Sequence, residues 1–332
     1  MIFIGIVEKC NITSATAGQQ GFARGCHRRQ AGLQPTRKTL GYCRARTARI
    51  VSTAQSLAIS YKRNVTISNP VPKTALITGA SSGIGLELAQ LFAHDGYRLV
   101  VVARNRGALR DLGDELHSRF GVEVRVVPKD LCHPSAPVEL YQELQEAGIA
   151  LDVLVNNAGF GGSGPFLRTD WDIEAEMIQV NIVALVHLTK LFLPQIRARG
   201  GKLLNVGSVA AFLPGPFTAI YYASKAFVLH FTEALAEELS GTGTTVTCLC
   251  PGPVQTNFQK RAHVGGSSRA NQRLLMNVHE VARLGYEGMK EGRRVVIPGW
   301  KNQLLTNALR VVPRNTVAKM VGRMYAAAKN SN

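Results

Sequence analysis

The stretch Thr74-Ala75-Leu76-Ile77-Thr78-Gly79-Ala80-Ser81-Ser82-Gly83-Ile84-Gly85 decides how the rest of this 332-residue chain is read. Thr74–Thr78 is a short apolar run with the length of a buried strand. Three glycines follow in the spacing G-x-x-x-G-x-G. From Ser82 to His94 the pattern turns helical, with Ile84, Leu88, Leu91 and Phe92 on one stripe. Glycines let the backbone turn sharply and come close to a ligand. The helix N-terminus behind them offers free N–H groups and a partial positive charge. Strand, glycine turn and helix together make a cradle for a pyrophosphate, although the spacing departs from the usual dinucleotide fingerprint G-x-G-x-x-G.

Working outward, the same alternation continues. Strands are expected at Leu99–Ala103, Glu123–Val127, Val153–Asn156, Lys202–Val206, Thr245–Cys250 and Arg294–Ile297. Helices are expected at Arg106–Arg119, Ala136–Ala147, Trp171–Arg199, Tyr221–Leu239 and Glu280–Lys290. Continuous apolar strands separated by helices imply a parallel sheet covered on both faces. The fold class is therefore α/β, a doubly wound, Rossmann-type parallel sheet of about seven strands in one domain.

Two segments flank this body of residues 73–300. Residues 1–72 hold 11 Lys/Arg against a single acid, Glu8, and so carry +10 of the formal +17. The other 260 residues carry 28 basic and 21 acidic groups, or +7. The high charge belongs to the extension, and a mildly basic body argues against a nucleic-acid partner. Residues 1–72 lack sustained periodicity. Three readings are open: an Arg-rich organelle transit peptide, a disordered basic tail, or a start extended upstream of a true one near Val65. The last is favoured, and it goes with a cytoplasmic location; a transit peptide would place the protein in an organelle. Residues 301–332 form a helical tail. Leu304, Leu305, Ala308, Val311 and Val312 follow helical spacing, Pro313 interrupts it, and Val317, Met320, Val321 and Met324 resume it opposite Arg314, Lys319 and Arg323. Such a stripe packs on the body or on a second subunit, or lies on a membrane surface as a basic amphipathic helix.

Composition excludes other classes. Hydrophobic residues make up 45% and charged residues 18%, enough for a large core. No apolar run reaches the roughly 18 residues of a membrane span. The six cysteines show no paired zinc spacing, and Cys26-His27 has no second pair near it, so no metal is expected. Cys248 and Cys250 are two apart in a strand and share one face. Reduced core thiols in a reducing compartment are the expected state.

The octet Thr78 to Gly85 resembles the cofactor loop of the short-chain dehydrogenase/reductase superfamily, and the likeness extends over residues 73–300. It implies cofactor contacts from Gly79, Ser81, Ser82, Gly83, Ile84 and Gly85. Asp130-Leu131 resembles the pair that contacts the adenine, and Asn156-Asn157-Ala158-Gly159 the N-N-A-G turn, whose Asn157, Ala158 and Gly159 adjoin the cofactor. Asn181, Ser208, Tyr221 and Lys225 match the catalytic tetrad. Pro251, Gly252, Val254 and Thr256 match the segment on the nicotinamide side. The resemblance also implies a homodimer or homotetramer, a water relay held by Asn181, and contact of Lys225 with the nicotinamide ribose.

The residues refine this. An NAD site uses an acid near the end of the second strand, roughly 20 residues past the first glycine. Arg104 stands there instead, and an arginine fork pairs with a 2′-phosphate, so the expected cofactor is NADP(H). Tyr221 and Lys225 are four apart on one helix face. A free tyrosine titrates near 10. An ammonium roughly 5 Å away at an effective dielectric near 20 favours the phenolate by about 3 kcal/mol, or about two pKa units. Tyr222 is three from Lys225 and points to another azimuth, so Tyr221 is the proton donor. Ser208 follows a strand end and can donate to the substrate oxygen. Phe160, Phe166, Phe212, Leu213 and Pro214 imply an apolar pocket for a lipophilic ketone, aldehyde or 3-oxoacyl chain. Residues 254–273 read as a lid. The competing reading is a sensor or scaffold that binds NADP without turnover; it would tolerate loss of tetrad residues, and all four are present.

Overall fold

The computed structural model describes residues 72–255 and 275–330. The extension read at residues 1–72 lies outside the described residues up to position 71, and so do Thr256 and most of the expected lid.

Among the described residues, seven strands form one parallel sheet in the order β3-β2-β1-β4-β5-β6-β7. They are β1 Thr74–Thr78, β2 Arg98–Ala103, β3 Val124–Pro128, β4 Val153–Asn156, β5 Lys202–Val206, β6 Thr245–Leu249 and β7 Val295–Val296. Their Val, Ile and Leu content suits strands buried on both faces. Alternate residues point to opposite layers. Ala75 and Ile77 join a core with Leu88, Phe92, Leu109 and Met289, while Leu76 joins one with Leu140, Leu188, Phe192 and Ile196. The first layer lies under α1 (Gly83–His94), α2 (Arg106–Phe120) and α7 (Val278–Lys290). The second lies under α3 (Ala136–Glu146), α4 (Trp171–Ile178), α5 (Leu185–Ala198) and α6 (Ala219–Glu238). Phe92 and Phe192 are fully buried, and truncating either to Ala would cost about 3–5 kcal/mol.

The strand order positions the site. The chain winds outward from β1 to β3, then returns across the sheet to β4, which pairs with β1 (Ala75 opposite Val153, Ile77 opposite Val155). The loops after β1 and β4 leave the sheet side by side in opposite directions. A crevice opens at such a reversal, at the carboxyl ends of the strands.

The helix expected as one rod over Trp171–Arg199 is interrupted. Gln179–Ala184 is a π segment between α4 and α5. The rod from Trp171 to Ala198 is long and apolar enough to cross a bilayer, with a mean hydropathy of 1.5. Leu188, Phe192 and Ile196 instead face the sheet, and Thr189 is buried with them. A core helix covering a parallel sheet must be this apolar.

The tail forms α8 (Trp300–Ala308) and α9 (Arg314–Asn330), separated near Pro313. Thr306, Val317 and Val321 are buried against the body. Trp300, Leu304, Leu305, Val311 and Met320 are exposed.

Candidate active site

The glycine turn is stapled to the turn after β4. Thr78 Oγ1 accepts the N–H groups of Asn157 and Ala158, both at 3.0 Å, and donates to Val155 O at 3.2 Å. Asn157 Nδ2 donates to Thr78 O at 2.8 Å and Gly79 O at 3.2 Å. Gly79 has a φ of +67°, where a Cβ is strained. A Cβ on Gly85 would collide with both Gly79 O and Asn157 Nδ2. Ser82 starts α1 in extended conformation and its side chain makes no capping bond, and the first turn holds no acid. An uncapped, acid-free helix N-terminus behind a glycine cradle fits a pyrophosphate.

Arg104 follows β2, and its side chain is largely exposed. Its Nη1 lies 3.9 Å from Asp130 Oδ2. At that distance and exposure the pair is weak, so the guanidinium is available to another anion. Asp130 Oδ1 also accepts Cys132 N at 3.0 Å, which fixes the loop after β3. Leu131 is buried in the second core layer. The two residues expected at the adenine therefore differ: Asp130 borders solvent, and Leu131 braces the loop from inside.

The tetrad positions converge around the loops after β4 and β5. Asn181 sits in the π segment and is 1% exposed. Its Nδ2 donates to Phe160 O at 2.9 Å and Ser224 Oγ at 3.0 Å, and its Oδ1 accepts Phe160 N at 3.1 Å. An Asn in a helix ordinarily faces solvent; here it clamps a loop to α6. A Cβ on Gly159 would lie 2.8 Å from Asn181 Oδ1 and 3.6 Å from Lys225 Nζ, so only a bare backbone fits between them. Lys225 is buried, and its Nζ donates to Val206 O at 2.8 Å. Burial lowers its pKa from 10.5 to about 8. The same Nζ lies 5.9 Å from the ring centroid of Tyr221. Ser208 caps the 3-10 turn Val209–Phe212: its Oγ accepts Ala210 N at 3.1 Å and lies 3.5 Å from Pro251 O.

Tyr222 faces elsewhere. Its ring covers Gly215, where a Cβ would enter the ring. One tyrosine of the adjacent pair is thus packed against the loop before α6.

Pro251 and Gly252 are buried, and Gly252 faces Asn302 of α8 at a distance that excludes a Cβ. Val254 bridges Met276, and Gln255 N donates to Met276 O at 3.1 Å, so the two ends flanking residues 256–274 are pinned together. Of the apolar residues expected at the pocket, Phe160 and Phe212 pack partly against core clusters, while Phe166 is exposed. A cleft of about 230 Å³ lies between Phe212 and Pro214 on one side and Thr306 and Val317 on the other.

Sequence reading missed the residues that hold these groups in place. Thr78 staples the two turns. Ser224 Oγ donates to Tyr221 O at 2.7 Å while accepting from Asn181. Beneath the site a buried ladder crosses four elements. Asn156 Nδ2 donates to Thr189 Oγ1 at 3.0 Å and Asn205 Oδ1 at 2.9 Å, and Asn205 Nδ2 donates to Thr232 Oγ1 at 2.9 Å. Polar residues inside otherwise apolar strands were the available signal. Cys248 and Cys250 do share a face, with their Sγ atoms 3.6 Å apart and both thiols free. Their mutual hydrogen bond and burial hold the Cys250 thiol far above its usual range.

A sequence profile described as short chain dehydrogenase matches residues 73–264. The chain belongs to the short chain dehydrogenase family. This short-chain dehydrogenase is 38% identical over 203 residues to sulfoacetaldehyde reductase 2 of Chromohalobacter salexigens, covering 60% of its own length and 79% of that protein. It is 32% identical over 202 residues to very-long-chain 3-oxoacyl-CoA reductase-A of Danio rerio, covering 58% and 62%. Among solved structures it resembles a short-chain dehydrogenase from Sphingobium yanoikuyae in complex with NADPH, at 34% identity and a TM-score of 0.65, over 72% of this chain and 92% of that one. It also resembles a Burkholderia phymatum family member in complex with NAD, at 28% identity and a TM-score of 0.63, over 71% and 92%. This short-chain dehydrogenase is accordingly an oxidoreductase with a site for a nicotinamide dinucleotide.

Proposed function

We propose that this oxidoreductase uses NADP(H) to reduce a lipophilic carbonyl (a ketone, aldehyde or 3-oxoacyl group) to an alcohol, or to run the reverse. The observation that carries the proposal is Lys225, buried and placed 5.9 Å from the ring of Tyr221. A cation at that site favours the phenolate and makes Tyr221 a usable acid near neutral pH. In reduction, Tyr221 donates its proton to the carbonyl oxygen. Ser208 donates a hydrogen bond to the same oxygen as negative charge develops there. The cofactor, when bound, supplies hydride to the carbonyl carbon. Gly79, Ser81, Ser82, Gly83, Ile84 and Gly85 would hold its pyrophosphate, Asp130 and Leu131 its adenine side, and Asn157, Ala158 and Gly159 the turn beside it. Pro251, Gly252, Val254 and Thr256 would flank the nicotinamide, and Lys225 its ribose. The Asn181 side chain is committed to Phe160 and Ser224. A water relay to Lys225 therefore uses the Asn181 backbone, in the π segment where carbonyls leave the regular ladder.

Arg104 favours the phosphorylated cofactor. It is exposed, only loosely paired, and no acid stands in its place. A homodimer or homotetramer is the proposed assembly, with the exposed Val183 and Phe227 available for contact, Phe227 stacking on the half-buried Phe231. A cytoplasmic location suits the free thiols of Cys132, Cys248 and Cys250, the cysteines among the described residues. The test is NADPH oxidation against a panel of ketones, aldehydes and 3-oxoacyl thioesters, for the native chain and Tyr221→Phe. Equal turnover by both forms would overturn the role of Tyr221.

A further inference from the structure

We propose that the tail from Trp300 to Arg323, with the neighbouring loop tips, docks on an anionic phospholipid surface. Between Trp300 and Asn332 the chain has six Lys/Arg and no Asp or Glu. The structure divides this segment into two faces. Thr306, Val317 and Val321 are spent on the body. On the other side Trp300 is 69%, Leu304 63%, Val311 85% and Met320 57% exposed, among the exposed cations Lys301, Arg310, Arg314 and Lys319.

The apolar surface continues past the tail. A Cβ on Gly322 of α9 would lie 3.6 Å from Pro216 Cγ, so the tail borders the loop that precedes Tyr221. Phe217 follows in that loop and is exposed, and its carbonyl accepts Gly164 N at 2.7 Å. Two residues beyond Gly164 come Phe166, then Leu167, which is 96% exposed. Soluble surfaces keep such side chains apart; on the tail they stand among cations with no acid between them, and only beyond Leu167 do the exposed acids Asp170 and Asp172 follow, so the tail is the basic part of this interaction surface. Basic charge attracts anionic headgroups, and Trp with aliphatic tips enters the boundary below them.

Charge decides between occupants. A second copy would bring six like charges against six, which repel. An acidic protein would match the cations but does not call for Trp, Leu and Val standing out at 60–85% exposure. A lipid surface uses both. The delivery of substrate from the bilayer rests on the proposed carbonyl reduction; the docking itself does not. Docking presents the loop between Ser208 and Tyr221 to the membrane, where a lipophilic ketone or acyl chain is dissolved.

The test is co-sedimentation of the full chain with vesicles of phosphatidylcholine, with and without phosphatidylglycerol. Residues 1–72 carry +10 and also attract anionic vesicles, so a Leu304→Glu/Val311→Glu variant decides. The native chain should pellet with the phosphatidylglycerol vesicles and much less with phosphatidylcholine alone. High salt should weaken this by roughly ten-fold. The double variant should bind at least about ten-fold more weakly, while its circular dichroism and its oxidation of NADPH with a short soluble ketone stay native. Equal binding by variant and native chain overturns the proposal. So does equal binding to both vesicle types. Displacement by poly-glutamate from a site that the double variant loses assigns the surface to an acidic protein and overturns the lipid. A smaller mass by light scattering for the variant than for the native chain assigns it to a second copy, with the same consequence. A chain that pellets normally but reduces no carbonyl leaves docking intact and removes only the proposed reaction.

Discussion

Lys225 Nζ donates to Val206 O at 2.8 Å, and that carbonyl lies two residues before Ser208. One bond therefore joins the helix that carries Tyr221 to the end of β5, which leads into the loop that carries Ser208. It also holds an ammonium in a buried place, where its pKa falls from 10.5 to about 8.

Reduction should fall as pH rises through about 8, because deprotonated Lys225 no longer favours the Tyr221 phenolate. The stability of the cofactor-free protein should move the opposite way. A base with a depressed folded pKa opposes folding while it is charged. Between about 8 and 10.5 the unfolded chain binds the extra proton, so stability rises with pH across that window, by up to about 3 kcal/mol. Urea unfolding at several pH values checks this, and Lys225→Met should lose the rise.

Tyr221→Phe should lower kcat by about 10²–10⁴ with little change in folding. Tyr222→Phe should stay within a few-fold of native turnover, because that ring is engaged with Gly215. Comparable losses in the two variants would mean that the wrong tyrosine has been chosen.

Arg104→Ala should lower kcat/KM for NADPH by about ten-fold or more, the equivalent of one charge-assisted contact, and leave that for NADH nearly unchanged. Steady-state kinetics with both cofactors decide it. Native efficiency that is equal for NADH and NADPH would remove the reason for assigning Arg104 to a 2′-phosphate.

Gly159→Ala should reduce turnover more than it reduces stability. Its Cβ would stand 2.8 Å from Asn181 Oδ1 and push apart the groups around Lys225. A loss of about ten-fold in kcat with a small drop in melting temperature is the expected pattern.

Asn205→Ala should destabilise the fold by about 2–4 kcal/mol, because it empties a buried volume and removes a partner from both Asn156 and Thr232. Denaturant unfolding measures it. A change below about 0.5 kcal/mol would show that the ladder is not cooperative.

The strands were legible in outline because a strand buried on both faces must be apolar along its length. β1, β4 and β5 fall where Thr74–Thr78, Val153–Asn156 and Lys202–Val206 read as apolar runs, and the ends of the other strands move by one residue. The long helix was legible in extent but not in kind. Nothing local to Gln179–Ala184 announces a π segment; it forms where Asn181 is drawn to Phe160 and Ser224. The Tyr221–Lys225 pair was legible because helical spacing is a local property. The burial of Lys225 was not, because burial depends on what the rest of the chain packs around it.

By itself, then, the sequence determined the alternation of strand and helix, the glycine turn, the helical spacing of Tyr221 and Lys225 and the absence of an acid after β2. All of these follow from residue types at short separations, where backbone geometry leaves few options. The tertiary structure decided which loops meet. It set Thr78 against Asn157, Asn181 against Ser224, and Lys225 beneath Val206, across separations of 79, 43 and 19 residues. It also decided which face of the basic tail is buried and which is left outside. Those outcomes depend on the sheet order and on packing between layers, and no window of sequence contains either.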